Sequence, residues 1–295
     1  MKHTIGIFGE VLFDCFPDGR EVLGGAPFNV AWHLHAFGQS PVFVSRVGDD
    51  EAGRRIREAM ASWGMRLEGL QVDPEHSTGR VTVTLEGGEP SYEIVADSAY
   101  DFIAADQLPE TDAGLIYHGS LALRNGVSRA ALEKWKLQSG ATLFVDVNLR
   151  SPWWERESVL ALLRDADWAK LNRDELELLG DGGADEIASA EPFRTAHDLR
   201  GLVLTRGAEG AVALEDGAEP VEVRPEPVTQ IVDAVGAGDA FASILILGLR
   251  VGWPLATTLE HAQAFASELV QQRGATLSDP QLYRSFAERW GLTTD

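Results

Sequence analysis

The sequence is poor in the residues that build disulfides and common metal centres. Its 295 residues include one cysteine, Cys15, so neither an intramolecular disulfide nor a cysteine metal cluster can form. The chain also contains no Gly-Lys dipeptide and no H-E-x-x-H motif. These absences exclude a P-loop and a zinc-protease helix. Cys15 itself is expected to be a small buried apolar residue.

Positive charge is scarce as well. Lysine and arginine total 25 against 46 aspartates and glutamates, which gives a net charge of −21 at pH 7. The field of such a protein repels nucleic acids and anionic membranes, so neither is expected as a partner.

Long apolar segments are also missing. The longest apolar run, around residues 244 to 249, is too short to span a bilayer. The amino terminus lacks the charged, apolar and small-residue succession of a secretory signal. We therefore expect a cytoplasmic protein.

The order of apolar segments indicates the fold class. From residue 114 onward, segments with strand character alternate with segments of helical length, which predicts an α/β fold with a parallel sheet and helices on both faces. Earlier, alternating stretches at 78–85 and 91–96 flank a turn-forming sequence at 86–90, which indicates a β-hairpin. The length permits one large domain or two small ones.

The sequence Gly-Ala-Gly-Asp at 236–239 precedes the apolar run and predicts the start of a buried helix. Its glycines let the backbone approach a ligand closely, and the free N–H groups of a helix start stabilise an anion. Asp239 has two interpretations. It is either a capping carboxylate of this helix or a general base held beside an anion site.

Polar residues follow several predicted strands at their carboxyl ends, where open α/β sheets bind ligands. Asp14 follows the first strand as a ligand contact or a turn residue. Arg150 follows a later strand, either as a ligand contact or as the partner of Asp146 in a surface ion pair. Asn172 and Glu175 follow the next strand, where they either face one site or form a helix capping box.

The stretch Asp233-Ala-Val-Gly-Ala-Gly-Asp239 resembles the D-T-x-G-A-G-D signature of the ribokinase-like (pfkB-type) carbohydrate kinases. The resemblance implies that Asp239 is the catalytic base and that Asp233 helps to hold a monovalent cation. Ala234 replaces the usual threonine, which removes a hydroxyl contact. The implied anion hole consists of the backbone of Gly236, Ala237 and Gly238.

Further motifs follow the family's order, namely G-G-x-x-x-N, V-G-x-D-x-x-G, D-x-N-x-R, N-x-x-E and V-T-x-G-x-x-G. The implied sugar-binding residues are Asp14, Gly24, Gly25, Asn29 and Arg150. The implied nucleotide-binding residues are Asn172, Thr205, Arg206, Gly207, Gly210 and Gln263. The implied metal sites comprise Glu175, which would bind Mg²⁺ through water, and Asp233, Val235, Gly274 and Ser278 around K⁺ or another monovalent cation.

The resemblance also implies an architecture. We expect residues 1–295 to form a single ribokinase-like domain, a three-layer α/β/α fold with a mostly parallel central sheet and a small β-sheet lid. The lid segments are expected at about 10–25 and 68–102, including a short strand near Leu70. A lid that covers the sugar excludes water, which would otherwise compete for the phosphoryl group. A homodimer through the lid is expected as well.

The implied activity is the ATP-dependent phosphorylation of a primary sugar hydroxyl. Likeness of the stretches ending at Asp14, Asn29 and Arg150 to bacterial fructokinase-type members favours D-fructose, which would give fructose 6-phosphate. A 2-keto-3-deoxygluconate kinase is the alternative within the family, since Arg150 would pair with a substrate carboxylate. A sugar-binding sensor without chemistry is a third hypothesis, against which the intact Gly-Ala-Gly-Asp sequence argues.

Overall fold

The computed structural model describes residues 4–86, 89–180, 186–226 and 230–292. The tip of the predicted hairpin, residues 87 and 88, lies outside these described residues. None of the helices in these ranges combines the length and the apolar character of a membrane-spanning segment.

The strands and helices alternate along most of the chain. The strands are β1 (Thr4–Phe8), β2 (Leu12–Cys15), β3 (Glu21–Gly24), β4 (Val42–Gly48), β5 (Leu70–Asp73), β6 (Gly79–Glu86), β7 (Glu89–Ile94), β8 (Ala113–His118), β9 (Thr142–Asp146), β10 (Trp168–Asn172), β11 (Gly201–Thr205), β12 (Ala211–Glu215) and β13 (Val221–Val223). The α-helices are α1 (Ala26–Ala36), α2 (Glu51–Trp63), α3 (Gly126–Ser139), α4 (Arg156–Arg164), α5 (Arg173–Leu179), α6 (Glu186–Ala196), α7 (Ala237–Val251), α8 (Leu255–Leu269) and α9 (Pro280–Arg289). Short 3₁₀ turns occupy Ala99–Phe102, Ala105–Gln107, Leu121–Arg124 and Gly207–Glu209.

The large sheet has the order β13-β12-β11-β10-β9-β8-β1-β4-β5 among the described strands. Every pairing from β11 to β5 is parallel, whereas β12 and β13 join one edge in antiparallel orientation. The carboxyl ends of the parallel strands therefore meet along one edge of the sheet. This arrangement confirms the predicted α/β class with a mostly parallel central sheet.

Successive residues of the strands pack against helices on opposite faces. On β11, Val203 belongs to the apolar cluster formed with α1, α2, α7, α8 and α9, whereas Leu202 and Leu204 belong to the cluster formed with α4, α5 and α6. Phe8 of β1 packs with Trp135 of α3 on this second side. Burial on both faces explains why the strands are almost continuously apolar, and it confirms the three-layer prediction.

A second sheet has the strand order β3-β2-β6-β7. It starts shortly after the carboxyl end of β1, so it lies at the edge of the large sheet where the parallel strands end. Strands β6 and β7 are the predicted hairpin, with antiparallel pairs from Val81↔Ile94 to Glu86↔Glu89. Segments of both predicted lid ranges thus contribute to one small sheet.

The prediction for the strand near Leu70 is wrong. This strand, β5, pairs in parallel with β4 and forms the edge of the large sheet. The β4-α2-β5 segment is a strand-helix-strand unit, which returns the chain beside the strand it left. A four-residue strand carries too little pattern to reveal this pairing in the sequence.

Helix α7 packs between α1 and α8 in one helical layer. It is apolar around most of its circumference, and all residues from Ala240 to Gly248 are buried. At Gly248 the helix touches α8 so closely that an added Cβ would lie 2.4 Å from Thr258 Oγ1. A glycine is required there by close packing.

We expect Gly248→Ala to lower the free energy of unfolding by about 1–3 kcal/mol, because the added methyl overpacks the α7–α8 contact. Gly126→Ala is the matched control, since that helical glycine has open space around an added Cβ and gains helix propensity. Urea unfolding of both variants measures the difference. Equal stabilities for the two variants would contradict the packing argument.

Candidate active site

The polar residues collect where the parallel strands end. Asp146 is the last residue of β9, Asn172 the last of β10 and Thr205 the last of β11. Asn172 and Thr205 are direct neighbours in the strand register. The N-terminus of α7 approaches the same edge, since an added Cβ at Gly238 would lie 3.6 Å from Lys170 Nζ on β10. We refer to this polar region, where the N-terminus of α7, the sheet edge and the small sheet meet, as the cleft.

Helix α7 begins at an unusually tight loop. Gly236 is its N-cap with a φ of 81°, and an added Cβ there would lie 2.5 Å from Ala275. Ala237 N–H donates to Ala234 C=O at 3.3 Å, while the amides of the first helical turn have no intrahelical acceptor. These first-turn amides, at the positive end of the helix dipole, are suited to an anion.

Asp239 is held by a contact across the fold. Its Oδ2 accepts a hydrogen bond of 2.7 Å from Asn29 Nδ2 on α1. No side chain caps α7, so the capping interpretation of Asp239 is wrong and the carboxylate is available for other chemistry. Removal of the carboxyl from water raises the pKa of Asp239 to about 6, against the lowering effects of Asn29, Lys170 and Arg150.

The residues predicted to bind sugar surround Asp239. Asp14 lies within β2, not in a turn, and its Oδ2 is 3.4 Å from an added Cβ at Gly24. Gly25 has a φ of 112° and leads into α1, which carries Asn29. Burial raises the pKa of Asp14, and the positive charge of Arg150 opposes this shift. The structure thus brings all five predicted sugar residues to one region.

Arg150 does not form a surface ion pair with Asp146, which was one of its two interpretations from the sequence. Asp146 is buried and pairs with Lys170, whose Nζ lies 2.8 and 3.0 Å from the two carboxylate oxygens. Tyr117 also donates to Asp146 at 3.2 Å. Arg150 is exposed at the cleft, where its charge acts on Asp14 and Asp239.

Sequence reasoning missed Lys170. Burial disfavours its charge, but the neighbouring Asp146 carboxylate holds the pKa of Lys170 above its usual value. The ammonium lies under the α7 N-terminus, close enough to Asp239 to lower the pKa of that carboxyl. The signal was present in the sequence as a lysine within the apolar strand Trp-Ala-Lys-Leu-Asn.

Asn172 and Glu175 form the capping box of α5. Glu175 uses both carboxylate oxygens, since Oε2 accepts from Asn172 N–H and Oε1 accepts from Leu149 N–H, each at 2.8 Å. The capping alternative is therefore confirmed, and Glu175 also ties the loop after β9 to α5. Water-mediated binding of Mg²⁺ by Glu175 stays a prediction, which a carboxylate with further lone pairs permits.

The remaining nucleotide candidates follow β11. Thr205 ends this strand beside Asn172. Arg206 Nη2 pairs with Glu222 Oε1 of β13 at 2.6 Å, so its charge is largely neutralised by this strand. Gly207 and Gly210 have positive φ, and an added Cβ at Gly210 would lie 2.0 Å from Val223 O. This glycine is therefore explained by packing on β13, and nucleotide binding at these residues stays a prediction.

Gln263 lies on α8 and not at the carboxyl end of a strand. Its Nε2 donates to Ser267 Oγ at 3.1 Å. No contact among the described residues joins Gln263 to the other nucleotide candidates. Its proposed place near adenine rests on the resemblance alone.

The loop before α7 brings together three of the four predicted ligands of a monovalent cation. Asp233 Oδ1 accepts from Val235 N–H at 3.0 Å, and Oδ2 accepts from Gly274 N–H at 3.2 Å. Ser278 is exposed and makes no contact with Asp233 in the described part of the chain. Carboxylate and backbone carbonyl oxygens are suitable ligand types for such an ion, and cation binding at these residues stays a prediction. The described ranges contain no cluster of three or more histidine, cysteine or acidic residues arranged to hold a metal.

The family model for pfkB family carbohydrate kinases matches residues 16–282. The chain belongs to this family. It is 34% identical to the fructokinase of Klebsiella pneumoniae over 95% of the chain and 97% of that relative. The family assignment confirms that the chain is an ATP-dependent sugar phosphotransferase.

Solved structures agree with the assignment. The fructokinase of Xylella fastidiosa with bound ATP matches with a TM-score of 0.86 at 22% identity, covering 99% of this chain and 100% of that one. A double mutant of the Vibrio cholerae O395 fructokinase, in its fructose, ADP and potassium bound form, matches with a TM-score of 0.82 at 25% identity over 97% and 98% of the two chains. These similarities confirm the ribokinase-like fold of the kinase.

We expect Lys170→Met to lower the free energy of unfolding by about 3–5 kcal/mol, because it leaves the buried Asp146 carboxylate without its counter-charge. Lys136→Met is the control, since Lys136 pairs with the more exposed Glu133 and Asp165 and should cost about 1 kcal/mol or less. Urea unfolding compares the two. A Lys170 variant as stable as the Lys136 variant would contradict the role of the buried pair.

Proposed function

We propose that this kinase is a fructokinase that transfers the γ-phosphoryl group of ATP to the primary hydroxyl at C6 of D-fructose. The observation that carries the proposal is the Asp239 carboxylate, fixed by Asn29 at 2.7 Å beside the α7 N-terminus and among the sugar candidates. Identity to curated fructokinases over nearly the whole chain supports fructose as the sugar.

In the proposed reaction Asp239 acts as the general base. Asn29 Nδ2 holds Oδ2, which leaves Oδ1 to accept the proton of the primary hydroxyl. As the proton moves to Oδ1, the sugar oxygen forms its bond to the γ-phosphorus, and the bond from this phosphorus to the bridging oxygen of ADP breaks. The free amides of the first turn of α7 stabilise negative charge on the transferring oxygens.

In this proposal Mg²⁺ would neutralise charge and K⁺ would order the loop that starts α7. Mg²⁺ bound with ATP would neutralise phosphate charge, and Glu175 would hold it through water. Asp233, with carbonyl groups of Val235 and Gly274, would hold K⁺ and so order the loop that starts α7. The loop is already braced by the two hydrogen bonds that Asp233 accepts.

The keto-acid alternative is supported by one observation, the exposed Arg150 guanidinium at the cleft. The carboxyl groups of Asp14 and Asp239 in the same cleft oppose it, because they repel a substrate carboxylate. A neutral ketohexose avoids this repulsion and offers several hydroxyl donors. The charge distribution therefore favours fructose.

We also propose that residues 1–295 act as one domain whose small sheet, from the segments at about 10–25 and 68–102, closes over the sugar and pairs with a second copy. The exposed side chains of Tyr92 and Val95 support such a pairing. Sedimentation analysis would test it, since a monomer at micromolar concentration would contradict it. A cytoplasmic location fits the single cysteine.

The proposed substrate is tested by ATP-dependent ADP release with Mg²⁺ and K⁺ against fructose, tagatose, ribose, adenosine and 2-keto-3-deoxygluconate. Fructose should have the highest kcat/KM. Preference for the keto-acid would contradict the proposal and assign Arg150 to its carboxylate. Binding of a sugar without turnover of any would favour the sensor hypothesis.

Asp239→Asn should reduce kcat by about 10²–10⁴-fold, because the amide cannot accept the proton. Its circular dichroism spectrum and ATP affinity should remain those of the wild type. Asp174→Asn is the control, since this carboxylate lies on the first turn of α5 and should leave kcat unchanged. Retention of most activity by Asp239→Asn would contradict its assignment as the base.

The same base predicts a pH dependence. Asp239 accepts a proton only when it is ionised, and kcat/KM reports the pKa of the free enzyme. kcat/KM for the sugar should therefore fall by at least about tenfold per pH unit below the pKa of about 6, and it should depend less steeply on pH above that value. A kcat/KM that stays constant down to pH 5, with the protein folded, would contradict the prediction.

A further inference from the structure

A buried carboxyl group without a complete set of partners lies between β1 and β2. Glu10 is 3% exposed, and its Oε2 has no hydrogen-bond partner among the described residues. An unsatisfied buried acceptor costs free energy in a folded protein, so it requires an explanation. Glu10 is not a predicted site residue, although it lies two residues after the end of β1.

Glu10 belongs to the same cleft as Asp239. Its carbonyl oxygen lies under Gly25, where an added Cβ would approach to 2.7 Å. Its side chain is within electrostatic reach of three charged groups and two phenols, which come from different elements, namely Asp239, Arg150, Arg124, Tyr100 and Tyr117. The carboxyl thus lies near the region occupied by the sugar in the proposed reaction.

None of the nearby cations neutralises Glu10 by direct contact. Arg124 is committed to Asp101, with Nε and Nη2 each 2.7 Å from a carboxylate oxygen. Its Nη1 is buried without a partner, and so is Asn29 Oδ1. Three polar atoms at or near the cleft therefore lack partners, which is the arrangement expected where a polyhydroxylated ligand supplies the missing hydrogen bonds.

We propose that Glu10 is a sugar-positioning residue whose Oε2 accepts a hydrogen bond from a sugar hydroxyl other than the one that is phosphorylated. The inference rests on the proposed function, because it assigns the primary hydroxyl to Asp239. A neutral polyol satisfies both carboxyl groups at once, whereas an anionic ligand would be repelled by both.

The proposed hydrogen bond between Glu10 and the sugar should change the protonation of Glu10. Burial raises the pKa of Glu10 to about 7, while its own backbone N–H and the arginines oppose the shift. A hydrogen bond from the sugar favours the ionised form and lowers this pKa. Sugar binding at pH 7 should therefore release about half a proton, and sugar affinity should rise with pH up to about 8 and fall below 7.

Calorimetric titration of fructose without nucleotide, in two pH 7 buffers of different ionisation enthalpy, measures the released proton. The wild type should release it, whereas Glu10→Gln should release little and bind fructose with nearly the same affinity at pH 7 and pH 8, where Asp239 is mostly ionised. Glu10→Leu should weaken sugar binding about tenfold or more, since it removes the acceptor. The KM for ATP should change little in both variants.

Asp239→Asn is the matched control from the same cleft. With a pKa of about 6, Asp239 is mostly ionised at pH 7 and contributes little of the released proton itself. Its charge is one cause of the raised pKa of Glu10, so this variant should still release a proton, with the release centred at a lower pH than in the wild type. Unchanged proton release and pH dependence in Glu10→Gln would overturn the role of Glu10 and leave the proposed function intact. If the wild type bound none of the sugars in the panel, both proposals would fail.

Discussion

The hydrogen bond between Asn29 and Asp239 joins the two parts of the molecule on which the site depends. It links α1, which follows the small sheet, to the first turn of α7, across 210 residues of sequence. Helix α7 is anchored by its buried apolar surface against α8, so its N-terminus has one position relative to the sheet edge. The bond engages Oδ2 of Asp239 and leaves Oδ1 for the proposed proton transfer. Preorganisation of this kind supplies most of the rate in phosphoryl transfer.

The position of Asp239 at the N-terminus of α7 places it among other charged groups. Asp239, Glu10 and Asp14 are all partly protected from water, and burial raises the pKa of each carboxyl. Lys170 limits the accumulation of negative charge, because it neutralises the buried Asp146 and also faces the α7 N-terminus. In a chain with a net charge of −21, such a cleft suits a neutral sugar that donates hydroxyl hydrogens. In the proposed reaction the anionic co-substrate binds instead at the free helix amides and the adjoining strand ends.

The sequence was sufficient to predict the elements whose patterns are local. Alternating apolar segments gave the parallel sheet, and the glycines before the apolar run gave the start of α7. What could not be predicted were pairings between distant segments. Lys170 is the actual partner of Asp146, Glu222 engages Arg206, and the strand at Leu70 joins the large sheet. Each of these depends on strand order, which a single sequence does not encode locally. Asn172 and Glu175 show a further limit, since one spacing fits both a capping box and a metal site.

In the proposed reaction Asp239 and the α7 N-terminus act on the primary hydroxyl of the sugar, and a crystal structure with fructose and a non-hydrolysable ATP analogue tests this role. We expect the C6 hydroxyl oxygen within hydrogen-bond distance of Asp239 Oδ1, with the γ-phosphate at the first-turn amides of α7 and in line with that oxygen. A sugar bound with C6 directed away from Asp239, or a γ-phosphate bound away from α7, would contradict it.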